Sequence, residues 1–331
     1  MKKKLLAALL AGAMCVSLCA CGGTSDETAE PAEDAAAATY TVGICQLVEH
    51  VALDAATQGF QDALIAALGE GAVSFDLQNA QNDSNTCSTI INGFVSGNVD
   101  LILANATPAL QAAAAGTADI PILGTSVTEY GVALELDDFS GTVGGNISGT
   151  SDLAPLDEQA AMLQEWFPDA QNVGLLYCSA EANSQYQVDV VKAELEALGY
   201  TCELYAFSDS NDLSAVCSSA AAACDVIYVP TDNTVAANTG IIDNICRPAK
   251  VPVIAGEEGI CSGCGVATLS ISYYDLGYTT GKMAAKILKG EADISTMPIA
   301  YSEKFTPMYN AEICQALGLT PLEGYTAISA E

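Results

Sequence analysis

Residues 40–64 read YTVGICQLVEHVALDAATQGFQDAL, and they decide how the rest of the chain is read. Thr41-Val42-Gly43-Ile44-Cys45 is a short apolar run with no helical polar face, the pattern of a buried strand. Gln46, Glu49 and His50 follow at once, and then Leu53, Ala56, Phe60 and Leu64 recur at helical spacing. A buried parallel strand that feeds a helix places the turn between them at the carboxyl edge of a sheet, where open α/β folds bind ligands. A site is therefore expected first around Gln46, Glu49 and Leu53.

Further along, strand and helix alternate regularly. Val73–Leu77 and a helix from Thr86 to Phe94 are followed by Leu101–Ala104 and a helix begun by Thr107-Pro108. There threonine is expected as N-cap and proline at the first helical position. Ile120–Leu123 is the next strand. A glycine-rich connection, Gly141–Asn146, precedes a second series of the same kind. It runs through a helix over 155–166, strand Val173–Tyr177, a helix near 184–198 and strand Cys202–Tyr205. A helix near 212–223, strand Val226–Val229, a helix near 234–246 and strand Val251–Ile254 follow. Val266–Ile271 and a helix over 274–289 add one more unit. Repeated βα units predict an α/β fold of two doubly wound parallel-sheet lobes joined by hinge crossings.

The N-terminus has a different character. Residues 1–21, MKKKLLAALLAGAMCVSLCAC, join three lysines to an apolar run shorter than the roughly 20 residues of a membrane span, the pattern of a secretory signal. Leu18-Cys19-Ala20 before Cys21 resembles a lipobox, so lipidation is expected at Cys21, which would anchor the chain to the cell membrane. The alternative is ordinary cleavage beside an incidental cysteine. Residues 22–39 are small and acidic, without large apolar side chains, and read as a disordered acidic tether.

Composition narrows the function. Half of the residues are apolar, enough for two separate cores beyond the tether. A formal charge of −31 argues against nucleic acid, whose phosphates require Lys and Arg clusters. Catalysis finds little support. His50 is the single histidine, and there is no Gly-x-Ser-x-Gly elbow. Paired carboxylates such as Glu49 with Asp54, or Glu257 with Glu258, leave a cell-wall hydrolase as the alternative class. No phosphate-binding glycine motif occurs, and no cofactor or metal is expected. Cys261-Ser262-Gly263-Cys264 is the one C-x-x-C, without a second pair for zinc, and suggests a local disulfide in a loop. Cys45, Cys178 and Cys224 fit free thiols packed as small hydrophobes. Trp166 and Phe167, before Pro168, read as core or cap contacts rather than a sugar-stacking platform.

Small polar residues follow strand after strand: Gln46; Asn79 and Gln81; Asn105 and Thr107; Ser126 and Thr128; Ser151 and Asp152; Ser179 and Asn183; Asp232 and Asn233; Glu257. Each taken singly is commonly a turn or cap residue. In parallel sheets all of them converge on the carboxyl edges, and so on a cleft.

Several stretches carry a family resemblance. The opening I-x-Q-L-V-E-H-x-A-L-D-A-A-x-x-G-F, Asn105–Ala109, Gly149–Leu153, Tyr228–Thr234 and Tyr273–Tyr278 resemble the ABC-transporter substrate-binding lipoproteins that include tryptophan-uptake proteins. The resemblance implies a type I periplasmic-binding-protein-like fold. It divides the chain into a first lobe of 40–150 plus 271–298 and a second of 151–270 plus 299–331, with crossings near Ser151, Ser270 and Ile299. It further implies a monomer that serves ABC permease subunits and holds an amino acid, aromatic or branched apolar, between its lobes. A sugar or nucleoside ligand is the alternative on the same fold. Thr107, Ser126 and Thr128 would meet the ligand's carboxylate, and Asp232 its ammonium. Glu257-Glu258 departs from the family's commoner Asp-Ser at that place.

Overall fold

Strand β1 (Tyr40–Gln46) is buried from Val42 onward and leads into α1 (Val51–Leu68), whose Leu53, Ala56, Phe60 and Leu64 turn inward. The structure, a computed structural model, describes residues 40–328; the expected signal segment, the tether and Cys21 lie outside the described residues. After α1 come β2 (Val73–Asn79), α2 (Ser84–Gly97), β3 (Leu101–Asn105), α3 (Thr107–Gly116), β4 (Ile122–Val127), α4 (Tyr130–Ala133) and β5 (Ile147–Ser151). The chain then leaves this sheet for α5 (Leu156–Trp166), β6 (Asn172–Cys178), α6 (Ala182–Ala197), β7 (Thr201–Phe207) and α7 (Ser210–Ala223). It continues through β8 (Val226–Val229), α8 (Asn233–Ala236), α9 (Thr239–Ala249), β9 (Val253–Ala255), α10 (Glu258–Cys264) and β10 (Ala267–Ser270). Helix α11 (Tyr273–Leu288) and β11 (Ala300–Tyr301) return to the first lobe. β12 (Thr306–Tyr309), α12 (Ala311–Leu317) and β13 (Thr326–Ala327) complete the second.

Two sheets result. The first has the order β11-β5-β4-β3-β1-β2, with every pair parallel. The second has the order β13-β12-β10-β9-β8-β6-β7, parallel except where β12 meets β10. Apolar clusters lie on both faces of each sheet, and its central strands are buried along nearly their whole length. The fold is therefore of the type I periplasmic-binding-protein kind.

Helix α11 crosses back because glycine allows it to lie close against α1. A Cβ on Gly277 would stand 1.9 Å from the Ala56 carbonyl oxygen, and one on Gly59 would stand 2.1 Å from that of Tyr274. No side chain fits at either distance.

Some expectations need correction. The N-cap of α3 is Ala106, not Thr107, and Ala106 holds a left-handed φ of 94°. The single helix expected near 234–246 is two helices, α8 and α9, broken at Ala237-Asn238. Strand β11 pairs with β5, so the third passage between the sheets follows Tyr301. Cys261 and Cys264 sit on helix α10, buried and free, so the loop disulfide is not formed.

Candidate ligand-binding site

The carboxyl ends of β1, β4 and β5 face those of β6, β8 and β9 across a narrow polar cavity. His50, Leu53, Ser126, Thr128 and Asp152 form its first-lobe wall. Asn183, Thr231, Asp232, Asn233 and Glu257 form the opposite wall, and Tyr273 closes one side from the crossing into α11. The cavity offers about 10 Å³ to the centres of water molecules, room for roughly one water. The lobes are thus shut.

Local strain aims one of these groups. Strand β4 shifts register between Gly124 and Val127, and Ser126 there has a φ of 54°, a left-handed conformation that a non-glycine residue holds only at a cost. The Ser126 hydroxyl is buried and makes no hydrogen bond. Neither Asp152 Oδ1 nor Asn183 Oδ1 has a partner. A buried polar atom left unsatisfied costs about 1–3 kcal/mol, so three around one cavity mark a place built for something else. Helix α1 also begins here. Its N-cap, His50, makes no side-chain cap, and Ala52 and Leu53 of its first turn line the cavity.

The charges are one-sided. Asp152 accepts from the Tyr273 hydroxyl at 3.0 Å and from the Thr128 hydroxyl, yet burial still pushes its carboxyl up to about 6. Glu257 caps α10 by accepting from the N–H groups of Gly259 and Ile260; burial, with Glu258 and Asp152 near, pushes it up to about 7. Asp232 is driven upward by burial first and by the neighbouring Glu181 second. No Lys or Arg is among the residues that line the cavity. Burial lowers the pKa of His50, which disfavours its charged form. Uncompensated buried carboxylates favour a cationic group between the walls.

Asp232 lines the cavity with its carboxylate already engaged. Its Oδ1 accepts from Val235 N–H at 2.9 Å and its Oδ2 from Cys178 N–H at 2.7 Å, so both oxygens already hold the β8–α8 turn to β6. Glu181, which no sequence pattern singles out, accepts from the backbone and side chains of both Asn233 and Thr234. Since Glu181 takes the amide nitrogen of Asn233, its amide oxygen faces His50 Nε2 at 3.3 Å, which therefore donates across the cleft. Asn82 Nδ2 likewise donates to Thr234 Oγ1 at 2.9 Å, a second bond between the lobes.

The other expected residues do separate work. Gln46 donates to Val48 O and Asp54 and accepts from Thr57, and with Glu49 and Asn79 it lines a different surface pocket. Glu49 also borders a larger chamber beside the polar cavity. Asn79 accepts from Gln81 N–H in a tight turn, and Gln81 is exposed with a φ of 54°. Asn105 donates to Leu53 O and Thr57, Ser151 donates to Thr128 O, and Ser179 donates to Phe207 O. Thr107 is buried in the first turn of α3, away from the cavity lining. Tyr273 and Thr231 face the cavity without having been expected there. A Tyr-Tyr pair at a helix start carries no signal that one ring reaches a carboxylate 121 residues away.

Comparison with known proteins agrees with this arrangement. Residues 41–330 match the family described as ABC transporter substrate binding protein. A curated relative, the tyrosine-binding protein of Clostridioides difficile strain R20291, is 34% identical over 97% of this chain and 94% of its own. The crystal structure of an ABC domain in complex with L-Trp from Streptococcus pneumoniae superposes with a TM-score of 0.83 at 30% identity, over 88% of this chain and all of that one. The ligand-free, open structure of a substrate-binding protein with adhesive properties from Clostridium difficile gives 0.67 at 39% identity, again over 88% and 100%. Two lobes shut on a polar cavity, with this likeness along nearly the whole chain, place the protein in the family of ABC transporter substrate-binding proteins.

Proposed function

We propose that this substrate-binding protein captures an aromatic α-amino acid between its lobes for delivery to ABC permease subunits, as a monomer anchored by a lipidated Cys21. The observation that carries the ligand reading is the set of three buried, unpartnered atoms around one cavity: Ser126 Oγ, Asp152 Oδ1 and Asn183 Oδ1. An α-amino acid's headgroup meets their needs. Its ammonium donates to Asp152 and Asn183, with Glu257 opposite. With the lobes parted enough to admit it, its carboxylate accepts from Ser126 and the first-turn N–H groups of α1. Asp152 thus takes the counter-charge role that the sequence suggested for Asp232, whose oxygens are committed to backbone.

The aromatic side chain is supported by two relatives, one named for tyrosine and one solved with L-Trp. Motion is supported by their shapes. This chain is more alike in sequence to the open, ligand-free structure (39% against 30%) yet superposes better on the complex (0.83 against 0.67). A lobe rotation of the hinge kind explains that inversion.

Titration calorimetry with the common amino acids, a sugar panel and nucleosides tests the ligand class. Tyrosine or tryptophan should bind, and a response confined to sugars or nucleosides would overturn the proposal. The anchor is tested separately: Cys21→Ala should release the protein from membranes, and unchanged fractionation with no acyl mass on the N-terminal peptide would sink that part.

A further inference from the structure

We propose that two hydrogen bonds between the lobes form a clasp that sets how long the shut state lasts, and that Glu181 positions both of its acceptors. The inference rests on the capture of a ligand between closing lobes, argued above, and adds what governs release.

The bonds run from Asn82 Nδ2 to Thr234 Oγ1 at 2.9 Å and from His50 Nε2 to Asn233 Oδ1 at 3.3 Å. Each joins a first-lobe donor to a second-lobe acceptor, so both exist only while the lobes are shut. One buried carboxylate prepares the two acceptors. Glu181 Oε1 takes the Thr234 hydroxyl hydrogen at 2.7 Å, which leaves that oxygen only lone pairs to offer Asn82. Glu181 Oε2 takes the Asn233 amide nitrogen at 2.7 Å, which turns the amide oxygen toward His50. The backbone N–H groups of Asn233 and Thr234 donate to the same two oxygens and fix the carboxylate between them.

The Asn82 side is prepared as well. The turn between β2 and α2 is tied to the end of β1, with Ala80 N–H on Gln46 O and Asn82 N–H on Leu47 O, both at 2.8 Å. Gln81 and Asn82 hold successive left-handed φ angles of 54° and 61°, which non-glycine residues adopt at a cost. A strained, anchored turn thus carries the Asn82 amide to the other lobe. Asn82, Thr234 and Glu181 all lie outside the lining of the polar cavity, so this contact stands beside the ligand site rather than in it. A bond made only in the shut state slows opening and leaves the encounter with ligand untouched.

Stopped-flow binding of tyrosine to the wild-type protein, Asn82→Ala, Thr234→Val, Thr234→Ser and Glu181→Gln tests the clasp. Asn82→Ala is decisive, because the residue is exposed and away from the cavity lining. It should release tyrosine at least threefold faster, with association rate and melting temperature unchanged. Thr234→Val should behave alike, whereas Thr234→Ser, which keeps the hydroxyl, should stay within twofold of wild type. Glu181→Gln should release tyrosine at least tenfold faster, since it disturbs both acceptors. Glu181 also accepts from the Asn183 amide at 3.3 Å, so its variant reads positioning and Asn82→Ala reads the clasp. Release kept within twofold in Asn82→Ala would overturn the clasp while leaving amino-acid capture standing. Release unchanged in Glu181→Gln alone removes Glu181 from the positioning role. Should that variant fail to fold, Thr234→Val and Thr234→Ser decide: equal release from both removes the prepared hydroxyl and Glu181's part with it. A wild-type protein that answers only a sugar or nucleoside overturns the amino-acid reading alone, and release of that ligand then decides the clasp. One that binds none of them overturns capture and clasp together.

Discussion

The two walls of the cleft are both acidic, yet their carboxylates are held in opposite ways. On the second-lobe wall, Asp232 and Glu257 each cap a helix with both oxygens on backbone N–H groups, and Glu181 ties down the turn beside them. On the first-lobe wall, Asp152 keeps Oδ1 without a partner, and Ser126 keeps its hydroxyl free. Burial and negative charge therefore do not by themselves mark a binding residue. An acid engaged by backbone shapes its own lobe, and an acid held through one oxygen has the other to offer. Asn183, unpartnered at Oδ1, is the second lobe's contribution to that open set.

The sharpest way to break this contrast is Asp152→Asn. Removing the counter-charge should weaken tyrosine binding by about 3 kcal/mol or more, the scale of breaking a buried pair, with no loss of melting temperature. Calorimetry with tyrosine reads it, and wild-type affinity would return the ammonium to another residue.

Next in size is a test of what holds Tyr273 against Asp152. Gly277→Ala forces a methyl group into the Ala56 carbonyl oxygen and should lower stability by about 1–3 kcal/mol, visible in denaturant unfolding. Unchanged stability would mean that α11 can shift away from α1 without cost.

The complement on the other wall is Asp232→Asn. Asparagine caps α8 about as well as aspartate, but its amide would turn a donor toward either Val235 N–H or Cys178 N–H. A loss of about 1–2 kcal/mol in stability and less than tenfold in tyrosine affinity is expected, from paired thermal melts and calorimetry. The reverse pattern, with stability kept and binding lost, would exchange the roles of the two aspartates.

The smallest effect is that of pH. Burial in the shut cleft raises Asp152 to about 6 and Glu257 to about 7, above the ordinary carboxylate values near 4. A raised acid favours the shut state fully at pH below its value in the open protein, and that preference is lost as pH climbs through 6 and 7. The ligand-free protein should therefore be more compact at pH 5 than at pH 8 by small-angle scattering. Tyrosine affinity should be several-fold weaker at pH 5, where protons compete with the ammonium. A radius of gyration independent of pH would show that the carboxylates do not feel closure.

Much of the architecture was legible along the chain, since strand and helix are written in local periodicity. Val226–Val229 is the expected strand to the residue, and the turn after it carries an aspartate that caps the next helix. The convergence of small polar residues on the carboxyl edges follows from parallel strands, and Leu53, Ser126, Thr128, Asp152, Asn183, Asp232, Asn233 and Glu257 all reach the cavity. Tertiary structure alone decided which of them are open. Whether an oxygen is free depends on donors far away in sequence: Tyr273 on Asp152, Cys178 on Asp232, Asn233 on Glu181. The antiparallel β12 was illegible for the same reason, as its partner β10 lies across helix α11. Periodicity acts over a turn or a pleat and can be read residue by residue, whereas satisfaction of a buried polar atom is settled only when separate strands and helices meet.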